Sequence, residues 1–218
     1  MSPLSPLSPV ALVALVALVA LVALVAPVVA DRTRCDIGHR PELSLRLAWE
    51  REEPGALLVT NGGHWGHWGD AQFCPEESFV VGFQLKVQPY QGFFGDDTGL
   101  NGVRLLCDTG THTVTSSVGP FGDWTPPELC PPGERVVSFR LRVEPSQGLW
   151  DDAAATDVAA MCTGGSRLEG GGLPRGEWGQ WSERCAPACS VCGVRARVEP
   201  AKGGDNSGLN DLKMYCCT

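Results

Sequence analysis

The sequence predicts an all-β protein: a three-sided β-prism of three four-stranded sheets related by pseudo-threefold symmetry. Three observations predict it. The same order of features recurs three times with a period of about 55 residues. The chain holds 27 glycines and 17 prolines in 218 residues, every glycine lying after residue 30, a composition that favours turns and short strands over long helices. The 10 cysteines also lie beyond residue 30 and fall at equivalent places in the copies, as in a small domain held by disulfides.

The elements follow in order. Val10 to Ala30 is uncharged, runs through five copies of Ala-Leu-Val, is broken by Pro27 and ends Val28-Val29-Ala30, with small residues where a signal peptidase reads. Residues 1–30 are therefore expected to be a signal peptide cleaved after Ala30. A membrane anchor is the alternative, because 21 residues rising about 1.5 Å each are long enough to span a bilayer. Arg32 and Arg34 follow the segment and no Lys or Arg precedes it, so an anchor would leave the cysteines in the cytosol. Disulfides persist on the exported side, and the expectation is a secreted, extracellular protein with no membrane association after cleavage. Residues 31–56 have no counterpart in the copies and read as a partly disordered N-terminal extension, with a helix-compatible pattern from Glu42 to Glu50 around Trp49. A net charge of −8 supplies no excess of cations for phosphates, which excludes nucleic acid as a partner. No Asn-x-Ser/Thr occurs, so no N-linked glycan is expected.

Residues 57–218 read as one β-prism domain of three repeats, about 57–113, 114–170 and 171–218. Each repeat is opened by aromatic-Gly-x-Trp: Trp65-Gly66-His67-Trp68, Phe121-Gly122-Asp123-Trp124 and Trp178-Gly179-Gln180-Trp181. A cysteine follows at Cys74, Cys130 and Cys185, and a second at Cys107, Cys162 and Cys216. Between them, Phe83 to Val87, Phe139 to Glu144 and Val194 to Glu199 alternate apolar and polar, the period of a half-buried strand. A Gly- and Asp-rich turn and a second apolar run, Val103 to Cys107 or Leu212 to Cys217, complete the unit. Equivalent spacing pairs Cys74 with Cys107, Cys130 with Cys162 and Cys185 with Cys216, each closure stabilising by roughly 3 to 4 kcal/mol on a chain-entropy account. Cys192 then meets Cys217, leaving Cys35 and Cys189 as a fifth pair or as free thiols able to link chains. A zinc site at Cys189-x-x-Cys192 with Cys216-Cys217 has suitable spacing, but an oxidising compartment favours disulfides. No metal or cofactor is expected.

Three like units bury their apolar faces around a common axis. A β-trefoil suits shorter repeats, whereas about 55 residues accommodates four strands of ~5 to 6 residues with turns, which favours the prism. The residues also resemble those of the vitelline membrane outer layer protein I family. The resemblance is carried by Asn61-Gly62-Gly63-His64-Trp65-Gly66, Gly95-Asp96-Asp97-Thr98-Gly99-Leu100-Asn101-Gly102-Val103-Arg104-Leu105, Val143-Glu144-Pro145-Ser146-Gln147-Gly148, Trp178-Gly179-Gln180-Trp181-Ser182 and Cys216-Cys217, over about residues 57–218. It implies a secreted type I β-prism of three four-stranded Greek-key sheets that serves as a structural component of an extracellular or egg-coat layer. Its implied partners are extracellular-matrix or egg-coat glycoproteins and N-acetylglucosamine oligosaccharides. It also implies an alternative activity, glycosyl transfer or hydrolysis on chito-oligosaccharides. The second copy departs from the family pattern at Asp151 to Asp157, and Cys35, Cys189 and Asp36 to Ala56 are additional to the family core.

The candidates for glycan contact are Trp65, Trp68, Trp178, Trp181, Asp96 and Asp97. Indole faces stack on sugar faces, yet aromatic-Gly-x-Trp also suits packing against sheet corners, where glycine permits close approach. A glycosidase needs two carboxyls about 5 to 10 Å apart. Asp96-Asp97 recurs as Asp151-Asp152, however, and a motif present in more than one copy reads as a turn device rather than a catalytic pair. Asn101 and Asn210, where their strands begin, are expected to satisfy loop backbone amides. His64-x-x-His67 lacks the nearby carboxylate and helical setting of a metal site. No catalytic residue is assigned.

Overall fold

The computed structural model describes Cys35 and residues 55–89, 98–144, 155–201 and 207–218. The leader, the Glu42 to Glu50 pattern with Trp49, and the acidic turns with Asp96, Asp97, Asp151 and Asp152 lie outside the described residues. The chain divides at Arg32/Thr33, and every described residue belongs to the Thr33–Thr218 unit.

Fourteen strands run in chain order through the described residues: β1 (Ala56–Leu57), β2 (His67–Trp68), β3 (Gln72–Phe73), β4 (Val80–Val87), β5 (Leu100–Cys107), β6 (Thr113–Thr115), β7 (Asp123–Trp124), β8 (Glu128–Leu129), β9 (Val136–Val143), β10 (Ala155–Cys162), β11 (Arg167–Glu169), β12 (Glu177–Trp178), β13 (Ser190–Val198) and β14 (Leu209–Cys217). All pairings are antiparallel. They form three sheets, ordered β6-β5-β4-β7, β11-β10-β9-β12 and β1-β14-β13-β2, with β8 also on β4 and β3 also on β13. In the first two sheets the third strand lies beside the second and the fourth returns to the far side of the first, which is Greek-key order. The third sheet has the same order only if β1 and β2 count as the strands after β14. The two ends of the described chain thus build one sheet together and close the prism.

A sheet is consequently not one sequence repeat. The aromatic-Gly-x-Trp segments do not open sheets; they supply the last strand of the sheet before them. Trp68 lies opposite Arg197, Trp124 opposite Lys86 and Trp178 opposite Arg142.

Alternation along the six long strands sends one set of side chains inward to a shared core. Phe83, Phe139 and Val194 are equivalent and fully buried, as are Leu85, Leu141 and Ala196, and Leu105, Ala160 and Met214. Large residues in one sheet face smaller ones in another, so the volumes fill the axis without identical copies.

Register shifts recur at both ends of every sheet. At one end Val81, Val137 and Cys192 stand unmatched, and their carbonyls accept the amides of Cys130, Cys185 and Cys74 at 2.7–2.9 Å. Those three cysteines are thereby fixed to one sheet while their disulfide partners sit on the next. Cys74–Cys107 joins the β13 sheet to the β4 sheet, Cys130–Cys162 joins that sheet to the β9 sheet, and Cys185–Cys216 returns to the β13 sheet. The three bonds make a ring of staples around one end of the prism. Cys192–Cys217 lies within the β13–β14 sheet, and Cys35–Cys189 ties the N-terminal extension to the start of β13. All ten cysteines are bonded, so neither the zinc reading nor chain-linking through Cys35 or Cys189 applies.

Around the staples, Asp108 at the end of β5 accepts the Phe79 amide at 3.0 Å and the Ser78 hydroxyl at 2.8 Å, and pairs with Arg135 at 3.1 Å. Burial alone would raise its pKa, but these hydrogen bonds and the Arg135 charge outweigh it and hold the carboxyl below the ordinary 3.8. A lowered folded value stabilises the fold above the unfolded pKa, and that contribution is lost as pH falls through the folded one. Asp108→Ala is therefore expected to lower the unfolding midpoint at neutral pH but to leave it less dependent on pH below about 4 than that of the parent. Parallel pH profiles for the two proteins would refute this role.

Candidate functional site

The site is assembled on the outward faces of the sheets. Gly66, Gly122 and Gly176 have φ of +79°, +75° and +84°, and a Cβ on any of them would come within 2.6 Å of the backbone of Val198, Val87 or Val143. Each glycine thus lets the incoming chain bend tightly onto the end of the sheet's first long strand, β13, β4 or β9. Two residues later Trp68, Trp124 or Trp178 pairs with Arg197, Lys86 or Arg142 of that strand. On the Gly122 bend, Gly122→Ala is expected to destabilise by on the order of 2 to 3 kcal/mol. Gly133→Ala should cost only about 1 kcal/mol, since Gly133 also has positive φ but open space around it. Equal losses in denaturant titrations would show that close approach plays no part.

This geometry corrects the alignment of the third copy. The residues equivalent to Trp65-Gly66-His67-Trp68 and Phe121-Gly122-Asp123-Trp124 are Arg175-Gly176-Glu177-Trp178, three positions before the segment that the aromatic pattern selects. Trp178, not Trp181, is the counterpart of Trp68 and Trp124, and the residues that correspond to Trp181 are Ala71 and Pro127. The signal was present in the sequence: spacing between copies shortens from 56 to 55 residues at the first cysteines and from 55 to 54 at the second, whereas reading Trp181 as the counterpart of Trp124 lengthens it to 57.

Trp68, Trp124, Trp178 and Trp181 pack on cations rather than in the core. Arg104 lies 3.9 Å from the Trp124 ring; Lys213, Arg197 and Arg195 surround Trp68 at 4.8, 5.7 and 5.9 Å. On the β9 sheet Arg140 stacks on both Trp178 at 4.4 Å and Trp181 at 4.8 Å, with Arg142 and Arg167 adding contacts at 5.5 and 5.8 Å. The inward positions are filled by aliphatic residues and phenylalanines. The outward positions of the central strands carry Arg and Lys, whose charges meet the indole faces at about 0.5–1 kcal/mol each where exposed. These cations were missed by sequence reasoning, although Arg140-x-Arg142 and Arg195-x-Arg197 display them at period two, on the strands that pair directly with those of Trp178 and Trp68.

Of the glycan-contact candidates, Trp178 and Trp181 share the β9 sheet face, whereas Trp65 and Trp68 belong to the β13 sheet. The four do not line one groove. Trp68, Trp178 and Trp181 are half-buried with cations on their rings, while Trp65 is 53% exposed. Asp96 and Asp97 lie outside the described residues. His64 and His67 are exposed, and no cluster of three His, Cys, Asp or Glu able to hold a metal occurs among the described residues.

At the prism end opposite the staples, the unmatched residues are Asn101, Thr156 and Asn210. Asn101 and Asn210 accept loop amides as expected, from Gly119 at 2.6 Å and Gly63 at 2.7 Å, but through their main-chain carbonyls and not their side chains. Their Nδ2 groups donate to the hydroxyls of Thr98 at 2.6 Å and Ser207 at 2.8 Å, and both Oδ1 atoms are buried without a partner. The hydroxyls in turn donate to Gln88 and Glu199, so each cluster braces the two ends of a turn across its sheet. Beside Thr156, burial pushes the Asp157 carboxyl above its ordinary pKa, against the opposing pull of the Val158 and Gly172 amides and Arg142. Its Oδ1 accepts the Val158 amide at 2.8 Å, tying the group to its own strand.

These features define a disulfide-locked β-prism whose three outer faces carry indole–cation stacks. The chain belongs to the vitelline membrane outer layer protein I family, whose model matches residues 56–218. The vitelline membrane outer layer protein 1 homolog of Homo sapiens is 43% identical over 167 residues, covering 74% of this chain and 82% of that protein. The Mus musculus homolog is 42% identical over 165 residues, covering 73% and 81%. Among solved structures, a prostate-specific WGA16 glycoprotein lectin is similar with a TM-score of 0.48 at 15% identity, covering 74% of this chain and 97% of that one. An artocarpin–mannopentose complex has a TM-score of 0.49 at 11% identity, with 74% and 97% covered.

Proposed function

We propose that the protein is a secreted structural component of an extracellular coat layer, released from residues 1–30 by cleavage after Ala30, and that it contacts coat glycans. The observation that carries the reading is the ring of three inter-sheet disulfides with every cysteine bonded. Such bonds persist in oxidising surroundings, and a prism locked in this way is suited to a matrix that is not renewed by refolding. Membership of a family described by an outer layer of the vitelline membrane supports the same setting. For glycan contact the support is Trp65, a large aromatic left 53% exposed beside His64, with the Trp68 stack next to it. Chito-oligosaccharide transfer is not carried forward: among the described residues the one carboxyl raised by burial, Asp157, is bonded to the backbone of its own strand.

The test is expression of the full chain in animal cells. Recovery in the medium with Asp31 at the N-terminus and five intact disulfides is expected, together with retention on immobilised N-acetylglucosamine oligomers that Trp65→Ala weakens. Retention inside the cells with free thiols would overturn export. Secretion without any glycan retention would remove the glycan contact and leave the structural role.

A further inference from the structure

The fold accounts for three of the outer-face tryptophans and leaves two unexplained. Trp68, Trp124 and Trp178 occupy one equivalent position over the sheets. Trp65 corresponds to Phe121 and Arg175, and Trp181 to Ala71 and Pro127, so the prism does not require an indole at either place. What these two residues do share is spacing. Trp65 stands three residues before Trp68, and Trp181 three residues after Trp178, so each completes a Trp-x-x-Trp. The second copy, Phe121-Gly122-Asp123-Trp124, lacks it.

Trp-x-x-Trp is the acceptor pattern read by the C-mannosyltransferases of the secretory pathway, which attach mannose to the first indole. We infer that Trp178 and Trp65 are C-mannosylated, an assignment that rests on the proposed export of the chain. Indole C2 attacks the anomeric carbon of mannose held on a dolichyl phosphate donor. The bond from that carbon to the phosphate oxygen breaks and its electron pair leaves with the dolichyl phosphate. Indole C2 then gives up its proton, restoring aromaticity, and no electron transfer is involved. The structure accommodates the product. The new C–C bond lies in the ring plane, so the faces of Trp178 that Arg140 and Arg142 approach stay available for stacking. Trp65, half exposed, leaves room for a hexose in solvent.

Cleavage after Arg175 and Arg184 releases residues 176–184, a cysteine-free peptide holding both Trp178 and Trp181. Mass spectrometry of the full chain secreted by animal cells is expected to find one hexose on Trp178 that survives fragmentation, unlike a hexose on the Ser182 hydroxyl. Trp181→Ala, which removes the pattern but not the acceptor, should abolish it. Phe121→Trp supplies the pattern to the second copy and should gain a hexose at position 121, a result that loss of folding cannot mimic. An unmodified 176–184 peptide from secreted protein, or a hexose indifferent to Trp181→Ala, overturns the inference. If the chain is retained, the same chain behind a foreign export leader separates the two readings. A hexose on Trp178 then upholds the acceptor while the chain's own leader fails, and its absence refutes the acceptor as well.

Discussion

Replacing Cys130 and Cys162 together by alanine is expected to lower the unfolding free energy by about 3 to 4 kcal/mol, because a loop of 32 residues is no longer closed in the unfolded chain. Chain entropy alone gives nearly the same loss, about 3.5 kcal/mol, for the 25-residue Cys192–Cys217 loop. The two removals should differ in where the native protein loosens. Cys130 is bound through its amide to Val81 of one sheet and through sulfur to β10 of the next, so its loss frees an edge between sheets. Hydrogen exchange is expected to accelerate at Glu128–Cys130 and at Cys162–Thr163 in the first variant, and to stay confined to β13 and β14 in the second. Identical exchange patterns in the two variants would sink the view of the three bonds as inter-sheet staples.

Phe139→Ala should cost about 3 to 5 kcal/mol by denaturant titration. Its ring is fully buried on the inward side of β9, and the equivalent residues Phe83 and Val194 come from sheets held rigidly by the same staples. A cavity there has little freedom to collapse. Val194→Ala, at the equivalent position of the β13 sheet, removes fewer atoms and should cost less, about 1 to 3 kcal/mol. Equal losses would mean that the core relaxes around the phenylalanine and is not jointly built by the three sheets.

Much of this architecture was legible in the chain. Period-two alternation at Phe83 to Val87 and at its two counterparts marks strands because backbone geometry alone sends successive side chains to opposite faces. A shared period near 55 residues marks three units. By contrast, the third copy was misaligned at Trp181. An aromatic pattern weighs residue type, whereas the register of β12 on β9 is fixed by Gly176, a residue without a side chain to recognise. The indole–cation stacks were hidden for another reason. Arg140 and Trp178 are 38 positions apart and meet only when β12 folds across β9. Asn101 and Asn210 were placed correctly at the beginnings of strands, but their donors turned to hydroxyls because each is the unmatched residue of a register shift, which no periodicity announces.

Taken alone, the amino-acid order determined the strands, the threefold count and the spacing that pairs cysteines, since these depend on local dihedral preference and on repetition. Tertiary structure decided that each tryptophan segment completes the sheet before it, that the first strands complete the last sheet, and that the three cysteine pairs repeated in the copies bridge neighbouring sheets rather than seal single ones. The physical reason is closure. Without β1 and β2 the long strands β13 and β14 would be the open edges of the last sheet, and an open row of three sheets would leave an apolar face in water. Bringing β1 and β2 to that sheet leaves only two-residue strands at its edges and closes the core, and that choice exists only once the described chain is folded.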